Sequence, residues 1–78
     1  MGNAQKSLAD LKTGETGTIC CFKDEEMSLK LMEMGCAPGE KITVDQIAPL
    51  KDPISIIVAG YRLSLRLNEA QFILVDEI

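Results

Sequence analysis

The chain of 78 residues contains no histidine and no tryptophan, one tyrosine, two phenylalanines, three prolines and three cysteines. Each shortage excludes something. Without His there is no imidazole base, no His-activated nucleophile and no Cys/His zinc tetrahedron. So few aromatics offer no stacking platform for single-stranded nucleic acid. A formal charge of −4 and a pI near 4.6 remove the basic face that phosphate binding requires. The charge is even along the chain: residues 1–39 and 40–78 each carry four basic and six acidic side chains, so there is neither a basic arm nor an acidic tail. The longest apolar runs, such as 56–59 and 72–75, have four residues each, far short of a membrane span. Residues 1–6 are polar and form no secretory signal, and Lys6 stands where a myristoylation start requires Ser or Thr. These absences lead us to expect a cytoplasmic protein with no nucleic-acid partner and no direct membrane insertion.

What is present is globular: 46% hydrophobic and 26% charged. The length supports one domain, expected over residues 7–78 behind a loose leader at 1–6. Cys20, Cys21 and Cys36 make an odd count, which favours reduced thiols. As neighbours in a strand, Cys20 and Cys21 should point to opposite faces and not grip one ion. Cys21, in phase with Ile19, reads as a small buried hydrophobe, leaving Cys20 or Cys36 as the exposed, oxidisable thiol. A Cys nucleophile lacks a basic partner, and Gly35 to Lys41 resembles a phosphate loop only faintly, because Ile42 stands where Ser or Thr is needed.

The pattern alternates between two periods. Ser7 caps a single helical turn, residues 12–15 turn, and 16–23 is β-rich. Asp24 caps a short helix, with Glu25 and Glu26 at its positive end and an i,i+4 pair between Glu26 and Lys30. Met27, Leu31 and Met34 form its apolar stripe, Gly35 ends it and Pro38 prevents resumption. Residues 41–48 then alternate with Ile42 and Val44 inward. A loop bounded by prolines covers 49–53, and 54–59 places Ile54, Ile56 and Val58 in phase. After Gly60, residues 61–67 set Tyr61, Leu63, Leu65 and Leu67 against Arg62, Ser64 and Arg66. Residues 68–71 have the outline of a capping box and one helical turn, before a last strand at 72–75. About five short strands, with a helix after the first and one helical turn before the last, predict a small SH3-like β-barrel. Its interior is expected from Ile42, Val44, Ile56, Val58, Leu63 and Leu65.

Surface candidates follow from the same pattern. Met32 lies off the helix stripe and suits an adaptable docking surface, whereas Met27 and Met34 read as core. Leu50 projects from a loop stiffened by two prolines, which favours binding, although lone exposed hydrophobes are ordinary. Arg62 and Arg66 share a strand face and could meet an acidic partner; the plainer alternative is a solvated face. Gly35, Gly39 and Gly60 read as backbone necessities.

An ordered set of blocks carries a resemblance. Residues 31–39, LMEMGCAPG, are similar to the L-x-E-x-G-x-x-P-G segment of the FeoA family of ferrous iron transport proteins. Residues 7–15 (SLADLKTGE), 42–44 (ITV), 48–53 (APLKDP), 60–66 (GYRLSLR), 69–70 (EA) and 73–75 (ILV) resemble further blocks in the same order. The family often carries Arg where this chain has Lys30, which keeps the charge and loses bidentate hydrogen bonding. The resemblance implies an SH3-like fold and a cytoplasmic, non-enzymatic accessory of bacterial ferrous iron uptake. The implied partner is FeoB, a membrane transporter with a cytoplasmic G-protein domain, met through a surface for which Leu50, Met32, Lys30, Arg62 and Arg66 are the candidates. The alternative is an iron-binding or iron-sensing domain like the SH3-like domain of iron-dependent repressors; 78 residues leave no room for a DNA-binding module beside it. No catalytic residue, cofactor or metal ligand is assigned, Fe2+ having no ligand motif here, and weak self-association is left open.

Overall fold

The computed structural model describes residues 6–77, and residues 1–5 of the expected leader lie outside them. The elements run β1 (Lys6–Ser7), a 3-10 turn (Leu8–Asp10), β2 (Thr16–Phe22), α1 (Glu25–Glu33), β3 (Lys41–Ile47), β4 (Ile54–Val58), β5 (Tyr61–Leu65), α2 (Leu67–Ala70) and β6 (Ile73–Glu77). The six strands form one antiparallel sheet in the order β1-β6-β2-β3-β4-β5. The strand beyond the expected five is β1, in which Lys6 pairs with Val75 and Ser7 with Leu74.

The sheet curls over one apolar interior. Cross-strand partners Ile42↔Val58, Val44↔Ile56, Ile54↔Leu65 and Ile19↔Val75 are all buried, so alternation has become cross-strand packing. Of the six expected core residues, five are buried and Leu63 packs half-buried against them. Leu8 and Leu11 also enter the core, carried in by the 3-10 turn, where the Asp10 carboxylate accepts from the Ser7 N–H at 3.3 Å and from its hydroxyl at 3.2 Å. Tyr61 departs from the expected stripe. It is 74% exposed because it opens an edge strand at the hairpin tip, where the buried face runs out.

Helix α1 forms as its caps dictate. The Asp24 carboxylate accepts from the Met27 N–H at 3.0 Å. At the other end Gly35 takes φ 108°, the Cys36 N–H reaches the Leu31 carbonyl at 2.9 Å and the Gly35 N–H the Met32 carbonyl at 3.0 Å. This is a Schellman closure, whose rule is an apolar contact between the residue after the glycine and the helix's last turn. It turns Cys36 inward beside Leu31, both at 0% exposure, so of the two thiols expected as the exposed one, Cys20 or Cys36, Cys36 is excluded. Burial, and then the Glu69 carboxylate, push its pKa up to about 11.

The second correction concerns β2. Pairing passes from Ile19↔Val75 to Cys21↔Leu74, so Cys20 is an extra residue in a β-bulge. The bulge breaks alternation, and Cys20 and Cys21 are both half-buried with their sulfurs 2.8 Å apart, rather than on opposite faces. The third concerns residues 66–70: the strand ends at Leu65, and the helical turn is capped by Arg66 with Glu69 at its third position, not by Asn68.

Two stability measurements check this packing. Leu65→Asp places a charge at a site of 0% exposure, which costs several kcal/mol, comparable with the whole stability of a domain this size, on the order of 5–10 kcal/mol. Loss of the cooperative thermal transition is expected. Ala59→Asn should act in the opposite sense. Ala59 and Gly60 hold φ 52° and 82° in the two-residue β4–β5 turn, a geometry that favours Asn-Gly, so the melting temperature should rise with a gain of about 0.5–1 kcal/mol.

Candidate functional site

Glu69 is the one charged residue buried among the described residues, at 8% exposure. It sits in α2 because Arg66 stays extended (φ −75°, ψ 154°) and the chain then turns through Leu67–Ala70. The Arg66 N–H donates to Glu69 Oε1 at 2.8 Å. Lys30 Nζ reaches across from α1 to Glu69 Oε2 at 3.1 Å, so Lys30 serves this interhelical pair. The Leu67 N–H donates to Asp52 Oδ1 at 3.2 Å, tying the 48–53 loop to the same helix start. Two carboxylates therefore satisfy two otherwise unmet N–H groups at the positive end of α2. The Arg66 N–H holds the Glu69 pKa below its ordinary value; burial opposes this, and the Lys30 hydrogen bond and charge and the Arg66 charge reinforce it.

Around this junction lies a groove of about 560 Å³ lined by Met34, Asp52, Pro53, Ser64, Leu65, Arg66 and Glu69. At its rim the loop makes a tight turn, with the Lys51 N–H on the Ala48 carbonyl at 2.7 Å, and it lifts Leu50 into solvent at 87% exposure. Lys51 holds φ 68°, and the Asp52–Pro53 bond is cis.

The structure places the five surface candidates as follows. Lys30 and Arg66 meet at Glu69, and the loop carrying Leu50 joins them through Asp52. Arg62 stands apart on the outer sheet face, its Nε 3.3 Å from Asp45 Oδ2 and its side chain 72% exposed. Met32, 40% exposed, lies on the flank of α1 away from Lys30, because 200° of helical turn separates them. It shares that flank with Leu29, three residues earlier and 64% exposed, a surface hydrophobe that stripe-reading passed over. Met27 and Met34 pack against the core as expected. Glu69 and Asp52 were also missed. The signal for Glu69 was an acidic residue three positions after an extended residue; for Asp52 there was none, because its contact spans fifteen residues. Among the described residues no group of three or more Cys, Asp or Glu could hold a metal ion, and no helix is long and apolar enough to cross a membrane.

Comparison with known proteins places this geometry. The FeoA domain family matches residues 6–77. The chain is 38% identical over 72 residues to an Fe(2+) transport protein A/Fe(2+) transporter FeoB fusion protein of Porphyromonas gingivalis, the match taking in 91% of this chain and 8% of the fusion protein. The solution structure of a FeoA-like protein from Clostridium acetobutylicum superposes with a TM-score of 0.91 at 31% identity, over 99% of this chain and 91% of that one. The zinc-complexed crystal structure of FeoA from Stenotrophomonas maltophilia, described as a procaryotic SH3 domain protein, superposes with a TM-score of 0.77 at 24% identity, over 90% of this chain and 88% of that one. At that identity the likeness shows the fold alone, and it is the SH3-like fold that the strand pattern predicts.

The junction makes a prediction with a definite sign. The folded Glu69 carboxyl titrates below its ordinary value of 4.5, so the unfolded chain binds more protons in the window between the two values. Its contribution to stability is fully present above pH 4.5 and is lost as the pH falls through the folded value. Glu69→Gln should be less stable than the parent by about 1–2 kcal/mol at pH 7, the scale of a charge-assisted hydrogen bond. That gap should narrow progressively as the pH falls below 4.5. Urea unfolding of both proteins across pH 3–7 checks it.

Proposed function

The chain belongs to the FeoA family, and from that premise we propose that it is a non-enzymatic accessory of ferrous iron uptake that docks in the cytoplasm on an FeoB-type membrane transporter and tunes its nucleotide cycle or gating. The observation that carries the reading is the Porphyromonas gingivalis relative, in which a segment matching 91% of this chain is part of one polypeptide with an FeoB transporter. A fusion raises the effective concentration of two modules, a gain only for modules that work together. This chain spans 8% of that protein's length, so the transporter as partner and Fe2+ as the transporter's cargo enter here as parts of the proposal.

The surface supports docking over catalysis. Cys36 is buried and its thiol pKa is pushed up to about 11, so it is protonated at neutral pH and is no nucleophile. Leu50 is a large apolar side chain held out by a loop whose ends are fixed, by the Ala48 N–H on the Pro53 carbonyl at 3.2 Å and by Asp52 on α2. A loop already ordered loses little further entropy on binding. Arg66, exposed at the foot of the same loop, adds a cation to the rim.

The test is a pull-down and titration against the cytoplasmic domain of an FeoB-type transporter, with and without guanine nucleotide. Binding in at least one nucleotide state is expected. Leu50→Asp should weaken it about tenfold, equivalent to 1.4 kcal/mol, with an unchanged melting temperature because the side chain touches no core. Absence of binding in every nucleotide state, or saturable ferrous iron binding by this chain alone in an anaerobic titration, would overturn the docking reading.

A further inference from the structure

We propose that Cys20 and Cys21 form a dithiol site that low-molecular-weight disulfides oxidise to a vicinal disulfide. The two sulfurs lie 2.8 Å apart, inside ordinary nonbonded contact, although adjacent strand residues usually project to opposite faces. The bulge creates the pair. Ile19 is opposite Val75 and Cys21 opposite Leu74, so Cys20 is the extra residue of the bulge, and the bulge breaks the alternation that would send the two side chains to opposite faces.

The backbone there lies beyond the reach of β3. Pairing with β3 runs from Thr16↔Thr43 to Thr18↔Lys41. The hydrogen bonds from the Ile19 N–H to the Glu40 carbonyl at 2.9 Å, and from the Gly39 N–H to the Ile19 carbonyl at 2.8 Å, finish that side. Beyond Ile19 the strand is paired with β6 alone, and the register of that ladder shifts at Cys20. An eight-membered vicinal disulfide ring demands a distorted Cys–Cys peptide, and this position can distort without opening a second ladder. Both side chains are half-buried, so a small reagent reaches them, whereas Cys36 is sealed at 0% exposure. Among the described residues no third Cys, Asp or Glu completes a metal-holding group with the pair, so its chemistry is that of two thiols.

The step balances. One thiol, as its thiolate, attacks the reagent's disulfide and releases one small thiolate, leaving a mixed disulfide on the protein. The neighbouring thiol loses its proton and attacks the protein-bound sulfur, releasing the second. Two protein thiols lose two electrons to the reagent's S–S bond, and the two protons pass to the departing thiolates.

The experiment uses the full chain and glutathione disulfide at mildly alkaline pH, followed by alkylation, intact mass and non-reducing peptide mapping. The parent should finish two hydrogens lighter, bridged between Cys20 and Cys21, with Cys36 alkylated only after unfolding. Cys20→Ser and Cys21→Ser, checked for folding by circular dichroism, should each stop at a mixed disulfide carrying one glutathione. A parent protein that stops at the mixed disulfide, that bridges through Cys36, or that reacts only after unfolding would overturn the proposal.

Discussion

The fold depends on one crossing. β5 lies at one edge of the sheet, and the next strand, β6, must enter between β1 and β2 at the far side. The chain makes that journey through the four residues of α2 and a short turn, and only then can Ile73 and Val75 join the interior. So short a helix has almost no intrinsic stability, since nucleation consumes more order than one turn returns. Its start is therefore held by side chains, by the helix's own Glu69 on the Arg66 N–H and by Asp52 of the 48–53 loop on the Leu67 N–H. A carboxylate at 8% exposure would be unfavourable alone, and Lys30 compensates it from the neighbouring helix. The sheet closes on its core because a small polar junction turns the chain.

The same junction fixes what lies outside. Lys30 ties α1 to α2, and the Schellman closure of α1 sends Leu31 and Cys36 into the interior from consecutive turns of chain. Asp52 ties the 48–53 loop to the start of α2, so the elevation of Leu50 follows from the chain crossing itself. A surface hydrophobe on such a loop is presented in one place, which distinguishes it from Leu29 and Met32 on the outer flank of α1, whose side chains project from a helix facing solvent.

Most of the fold was legible in the sequence because its signals are local. Period-two alternation at Ile42–Val44 and Ile54–Ile56–Val58, and the Asp24 and Gly35 caps, need no tertiary context, and they placed β3, β4 and α1 correctly. Leu8 and Leu11 were not recognised as core because five residues hold too little of any period to show a face. The bulge at Cys20 has no signature in a run of β-formers, so strict alternation put the two cysteines on opposite faces. Cys36 could have been placed: an apolar residue directly after a helix-ending glycine is the inward position of a Schellman closure. Of the site, exposed positions such as Leu50 and Arg66 were readable, whereas the Lys30–Glu69 pair joins residues far apart in the chain and could not be.

That pair also ranks the cations for the docking proposed above. The Arg62–Asp45 contact is 72% exposed on the arginine side, and such surface pairs contribute little, so Arg62 can exchange Asp45 for a partner's carboxylate at small cost. Lys30 cannot do the same. Withdrawing it would leave the buried Glu69 carboxylate held by the Arg66 N–H alone, a cost on the carboxylate side that the half-exposed Asp45 does not impose on Arg62. The position where the family often carries arginine is thus occupied here by a lysine with an internal task, which one ammonium group satisfies without a bidentate fork. Arg66 and Arg62 therefore suit the docking proposed above from two places, Arg66 at the foot of the Leu50 loop and Arg62 on the outer sheet face, and Lys30 contributes by holding α2 in place.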